Sequence, residues 1–267
     1  MNVAKAHAYG NDFLFVPRDQ AEHLDPHDLA RRMCARHTGV GADGLIFYTV
    51  APDGTARMTL YNADGSPSEL SGNGLRCLAA LVMHTRHATG AGPLTQVRVD
   101  TDAGWKSLAL VARSGERYTF RAAMGQPTNV REEDLDVAGE RLRVTTLGIG
   151  NPQCVALVDT LPDASRFDRL GPALATHQRF RAGTNVEFVR IEAPDRLRIL
   201  IWERGVGPTT ASGTGACASA IAAIAHGGAA RALDVISPGG TQRVEWRDDG
   251  IYLTGWAEVV FDGIWLI

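Results

Sequence analysis

The sequence predicts an α+β protein built as two similar domains, each a strand-rich sheet wrapped on one buried helix. Three observations predict it. Strand-like runs dominate both halves of the chain. Each half also holds a helix that is apolar on nearly every side. Both of those helices open with the same pattern, Ser-Gly-Asn-Gly at 71–74 and Ser-Gly-Thr-Gly at 212–215. A helix apolar all round needs burial, and runs of β-branched and aromatic residues supply the sheet that buries it.

The elements follow in order. Residues 3–7, 12–16, 44–50 and 56–62 read as strands, and PHDLARRMCARH at 26–37 has helical spacing with Leu29, Met33 and His37 on one face. GNGLRCLAALVMHTRH from Gly72 to His87 is the first buried helix. Strands return at 94–101, 106–112 and 117–123. The second half repeats the plan, with strands at 141–147, 153–158, 185–191 and 196–202 and then GTGACASAIAAIAHGG, which closes on a Gly-Gly C-cap. Strand-rich sequence continues to the end, and EVVFDGIWLI reads as a buried terminal strand tied to the first domain or to a partner. The turn residues RSGE at 113–116 mark the boundary, giving domains 1–114 and 115–267.

Bulk composition narrows the function. A length of 267 residues suits two domains with separate cores. With 45% hydrophobic and 21% charged residues and a net charge of −3, the chain lacks the basic stripe of a nucleic-acid binder. No apolar run reaches the ~20 residues that span a bilayer, and the N-terminus shows no export signal. The four cysteines, Cys34, Cys77, Cys154 and Cys217, form no CxxC pair. That spacing argues against a disulfide framework or a zinc site and for a reducing cytoplasm. Cys77 and Cys217 fall within apolar helices, as buried structural residues do.

Gly39 to Gly44 matches GxGxxG, but it follows a helix and opens a strand, the reverse of the dinucleotide-binding context. Neither Ser71 nor Ser212 lies in GxSxG. No cofactor and no metal is therefore expected.

The repeated helix start carries the chemistry. A serine before a helix is ordinarily an N-cap. Two such starts, each glycine-rich and each opening a buried helix, suggest more. A helix N-terminus offers unpaired N–H groups and about half a positive charge, and glycine lets a ligand approach that backbone. Two such ends across a cleft would cradle a carboxylate, with residues 71 and 212 reaching the adjacent carbon from opposite faces. That arrangement suits removal and return of a proton α to a carboxylate, with the developing charge held by the helix ends.

The motifs YGNDF (9–13), GVGADGL (39–45), NADGS (62–66), SGNGLRC (71–77), GNP (150–152), TNVEF (184–188) and WERGVG followed by SGTGAC (202–217) together resemble the diaminopimelate epimerase family over essentially the whole chain. The resemblance implies two pseudo-symmetric domains, each a strand barrel around a central helix, and a homodimer. It implies inversion of one centre of LL-diaminopimelate to the meso form in lysine synthesis. Carried over by motif, substrate contacts fall on Asn11, Asn62, Asn151, Asn185, Glu203 and Arg204. The helix-end donors are Gly72 with Asn73, and Gly213 with Thr214. Arg204 suits the distal carboxylate of a dicarboxylic amino acid, because its fork pairs bidentately with a carboxylate.

The chain departs from the family pattern where the reaction would occur. The family's two cysteines are Ser71 and Ser212 here, its histidine after Gly-Asn-Pro is Gln153, and a glutamate is replaced by Pro208. Glu203 is kept. A serine hydroxyl ionises far less readily than a thiol and needs a neighbouring base. Three functions are expected to compete: an epimerase with altered activity using Ser71, Ser212 and Glu203; an isomerase of another small carboxylate with Glu203 as base; and a non-catalytic carboxylate binder.

Overall fold

A computed structural model describes residues 1–68 and 71–266. The chain divides into two compact units, Met1–Ala122 with Gly255–Ile267, and Ala123–Thr254. The first carries β1 (Asn2–Ala8), β2 (Asn11–Pro17), α1 (Pro26–Cys34), β3 (Gly44–Val50), β4 (Ala56–Asn62), β5 (Pro67–Ser68), α2 (Gly72–Ala88), β6 (Gln96–Thr101), β7 (Gly104–Ser114) and most of β8 (Arg117–Gly125). The second carries β9 (Thr128–Val137), β10 (Glu140–Gly148), β11 (Pro152–Leu157), α3 (Ala164–Ala175), β12 (Asn185–Ala193), β13 (Arg196–Glu203), β14 (Gly207–Thr209), α4 (Gly213–His226), β15 (Ala232–Ser237), β16 (Gly240–Arg247) and the start of β17 (Gly250–Ile264).

In the first unit β1, β2, β3, β4, β6, β7 and β8 pair in succession, and the later part of β17 pairs with β1. In the second, β9 to β13 pair in succession, then β15, β16 and β17. The two sheets share one plan. β2–β3 and β11–β12 are parallel, β3–β4 and β12–β13 antiparallel, β4–β6 and β13–β15 parallel. Each sheet wraps its own helix. Residues Asn73 to Met83 of α2 are all buried, as are Gly215 to Ala223 of α4.

Segment 113–116 is a hairpin turn, with Ser114 opposite Arg117, and pairing between β7 and β8 continues through it. The division between units falls later, after Ala122. The terminal strand pairs with β1, but it is not buried along its length. Val260, Phe261 and Ile264 are exposed, because strand pairing satisfies the backbone without covering that face. Ile267 lies outside the described residues.

Two helices differ from the sequence reading. α1 stops at Cys34, since Ala35 turns to an extended conformation (φ −59°, ψ 117°), and His37 is off the helix. The chain then folds back, with the amides of Gly39, Val40 and Gly41 donating to the carbonyls of Ala35 and Met33. A β-carbon on Gly39 would come 2.2 Å from the Arg32 carbonyl oxygen, and Gly41 has φ +82°. The GxGxxG glycines therefore wrap a helix exit. Helix α3 forms where the sequence reading placed no element, although it contains Gly171 and Pro172, both poor helix formers. Asp163 caps it by accepting from the Arg166 amide at 2.8 Å, and Gly171 is small because the Trp202 ring presses on it, 2.6 Å from a notional β-carbon.

All four cysteines are buried free thiols. Burial pushes Cys34 up to about 12, and raises Cys77 and Cys154 further still. Among the described residues no helix is long and apolar enough to cross a membrane.

Candidate active site

The two helix starts are built alike. Ser71 is extended (φ −124°, ψ 123°), and its Oγ accepts from the Gly74 amide at 3.1 Å. Ser212 is extended (φ −137°, ψ 130°), and its Oγ accepts from the Gly215 amide at 3.0 Å. Each serine is therefore the N-cap of its helix, as a serine in that position ordinarily is. The cap uses a hydroxyl lone pair and leaves the hydroxyl proton to point elsewhere.

In the first unit a chain of polar groups fixes the residues beside Ser71. Arg76, almost wholly buried, donates to Asn73 Oδ1; Asn73 Nδ2 donates to Asn11 Oδ1 at 3.0 Å; Asn11 Nδ2 donates to Asp43 Oδ2 at 2.7 Å. Arg36 closes the chain by pairing with Asp43 at 2.7 Å and with Asp12 at 3.2 Å. Lys5 also meets Asp12, at 2.9 Å. Burial would raise Asp12, but the hydrogen bonds from Lys5 and Arg36 outweigh it and hold the carboxyl below its ordinary value. Asn11 and Asn73 are thus oriented by charged neighbours. Asn62 stands at the end of β4, directly opposite Gly44. Its Nδ2 donates to Ser66 Oγ at 2.9 Å, closing the NADGS segment as a turn.

In the second unit Gln153, Asn151, Thr214 and Ser212 form a line. Gln153 Nε2 donates to Asn151 Oδ1 at 2.5 Å, Asn151 Nδ2 to Thr214 Oγ1 at 3.4 Å, and Thr214 Oγ1 lies 3.4 Å from Ser212 Oγ. Asn185 accepts from the Arg204 amide at 2.9 Å and donates to the Pro152 carbonyl at 3.3 Å. Exposed Arg204 lays its stem on Gly183 and donates to the Ala182 carbonyl at 3.0 Å. Glu203 is half-buried at the end of β13, one residue past Trp202, which pairs with Val186. A cavity of about 660 Å³ opens beside Asn151 and Gln153 and is also lined by Arg131 and Arg179.

The shared register makes these sets equivalent, position by position. Phe13, Gly44 and Asn62 lie side by side across β2, β3 and β4. Gln153 and Asn185 lie side by side across β11 and β12, and Glu203 follows on β13 one residue past Trp202, the partner of Val186. One step further in, the rows are Phe15, Ile46 and Leu60, and Val155, Glu187 and Ile201. Glu187 and Glu203 belong to the second unit only.

Among the residues of this neighbourhood that were not predicted as site residues are Asp43, Arg76 and Glu187. Asp43 sat inside the rejected GxGxxG match, and Arg76 inside an apolar helix. Glu187 sat in a strand otherwise hydrophobic, NVEFV, and a lone carboxylate in such a run was the available signal.

Comparison with known proteins agrees with this architecture. The family model described as diaminopimelate epimerase matches residues 3–130 and 145–260. A diaminopimelate epimerase of Desulforudis audaxviator (strain MP104C) is 42% identical, the alignment covering 100% of this chain and 99% of that protein. One from Desulfitobacterium hafniense (strain DSM 10664 / DCB-2) is 39% identical, covering 100% and 98%. Among solved structures, a probable proline racemase from Agrobacterium radiobacter K84 superposes with a TM-score of 0.73 at 16% identity, covering 100% of this chain and 93% of that one, which shows a shared fold. By its full-length match to the family model and to these relatives, the chain belongs to the diaminopimelate epimerase family.

Proposed function

We propose that this enzyme is a diaminopimelate epimerase-type isomerase of lysine biosynthesis. It inverts the α-carbon of LL-diaminopimelate to the meso form by two-sided proton transfer, with chemistry altered by serine at both helix starts. The observation that carries the reading is the recurrence of one serine-capped, glycine-rich helix start at equivalent places in both sheets, each beside hydrogen-bonded amide side chains, Asn11 and Asn73 in the first and Asn151 and Gln153 in the second. The relatives named above carry the same function in their names.

In this reading Gly72 with Asn73, and Gly213 with Thr214, offer backbone N–H groups to the substrate's reacting carboxylate. Negative charge that builds as the α-proton leaves is stabilised there without reorganisation. Asn11, Asn62, Asn151 and Asn185 hold the amino and carboxyl groups, and Arg204 pairs with the distal carboxylate. Glu203 takes the proton on its side. Gln153 has no titratable proton and serves by orienting Asn151. Ser212 donates a hydrogen bond to the developing charge. Ser71 passes its hydroxyl proton to the opposite face of the α-carbon and regains one from water, as Glu203 releases its own to solvent.

The test is exchange. Purified protein mixed with LL-diaminopimelate in deuterated water is expected to introduce deuterium at the α-carbon, followed by proton NMR. Exchange no faster than in buffer removes the epimerase reading. Tight calorimetric binding without exchange assigns the protein to carboxylate binding. Concentration of both carboxyl groups on one unit favours a second reading, isomerisation of another small carboxylate by one base, Glu203. Turnover of an unsaturated dicarboxylate, with no diaminopimelate exchange, would select it.

A further inference from the structure

Glu187 is 0% exposed on β12, on the face that packs against α4. A β-carbon built on Gly215 would come 2.6 Å from Glu187 Oε1 and 3.1 Å from Ser212 Cβ. The carboxyl therefore lies directly under the first turn of the helix that Ser212 caps. Glu187 pairs with Ile201 on β13, so Glu203 is its diagonal neighbour on the same face. Diagonal side chains on antiparallel strands stand about 7–8 Å apart, within reach for long residues. The equivalent of Glu187 in the first unit is Ile46, whose Cδ1 sits 2.9 Å from a notional β-carbon on Gly74. Packing alone is met there by an aliphatic side chain.

We propose that Glu187 is a positioning residue for Glu203: its carboxyl, buried under the first turn of α4 on the strand next to β13, holds a proton and leaves Glu203 to carry the pair's negative charge. The inference rests on the reading of Glu203 as the base. Two carboxyl groups that act on one another carry one charge at lower cost than two. Burial, and then repulsion from Glu203, place Glu187 well above the ordinary carboxylate range. Among the described residues, Cys154 of β11 and Cys217 of α4 are titratable groups on packed elements at this end of β12. Arg196, Arg198 and His226 lie at the opposite ends of β13 and α4, and Arg166, Asp168 and Arg169 belong to α3 on the other face. Neither burial nor the carboxylate of Glu203 favours ionising Glu187.

The sign of the stability effect follows. A carboxyl whose folded value is raised contributes stability that is complete below the unfolded value, about 4.3, and is lost as pH rises toward the folded one. Glu187→Gln copies the protonated acid in shape and cannot ionise, so it matches the parent near pH 4 and is the more stable protein at pH 8.

The experiment compares Glu187→Gln and Glu187→Leu with the parent in the α-proton exchange assay across pH. Glu187→Gln is expected to keep KM and to lower kcat at pH 7 by less than about fivefold, against tenfold or more for Glu187→Leu. It is also expected to lose the parent's alkaline decline in kcat, a change that a packing role would not produce. Coincident alkaline limbs, or Glu187→Gln no better than Glu187→Leu, overturn the proposal. Infrared difference spectra separate this from failure of the functional reading, because they need no turnover. A protonated-carboxyl band in the parent at pH 7, missing in Glu187→Gln, is expected, and its absence from the parent overturns the proposal.

Discussion

The starts of α2 and α4 have nearly the same backbone, the same serine cap and the same Gly-x-Gly sequence, yet opposite surroundings. Beneath the first lie Ile46 and Phe13, with the buried Arg76 guanidinium held on Asn73. Beneath the second lies the Glu187 carboxyl, with Glu203 on the next strand. One register difference runs through both rows, Asn62 against Glu203 and Ile46 against Glu187. A duplicated scaffold supplies the same N–H donors twice, and the strand residues beneath decide which copy carries a carboxylate base.

The largest effect expected from that difference is on rate. Glu203→Gln should lower α-proton exchange by about 10²–10⁴-fold, the usual worth of a general base. Asn62→Ala, at the equivalent position, should raise KM with a change in kcat of about tenfold or less. Steady-state kinetics on both variants checks this, and comparable losses in kcat would erase the distinction.

A smaller effect appears in stability. Alanine at Gly74 or Gly215 gains up to about 1 kcal/mol in helix propensity. At Gly74 the new methyl meets the mobile end of Ile46, while at Gly215 it meets a confined carboxyl at 2.6 Å. Gly74→Ala should be near neutral, and Gly215→Ala should destabilise by about 1–2 kcal/mol, as overpacking does. Denaturant midpoints report the difference, and equal shifts would show that Glu187 yields as easily as Ile46.

Much of this was legible in the sequence. The strand alternation, the two apolar helices and the repeated Ser-Gly-x-Gly starts gave the α+β duplication, and the ordered motifs gave the family. What stayed hidden had physical causes. Helix α3 forms despite Gly171 and Pro172, because the Trp202 ring needs the space that glycine leaves, a tertiary demand that overrides propensity. The end of α1 is set by amides folding back onto Met33 and Ala35, which helical spacing alone does not register. Asp43 and Arg76 matter through the side chains they orient, Asn11 and Asn73, and such links appear only once strands are in register. Glu187 was visible as an oddity in NVEFV, but its place under α4 needed the fold.

Thiol reporters test the electrostatic asymmetry most directly. Ser71→Cys and Ser212→Cys each place one accessible sulfur against four buried thiols whose surroundings keep them protonated or inaccessible. The rate of alkylation against pH gives each thiol's pKa. Both helix ends favour a thiolate, but Arg76 adds to that at 71 while the Glu203 carboxylate opposes it at 212. The thiol at 71 should therefore titrate about one unit or more below the thiol at 212. Equal values, or the reverse order, would contradict the account.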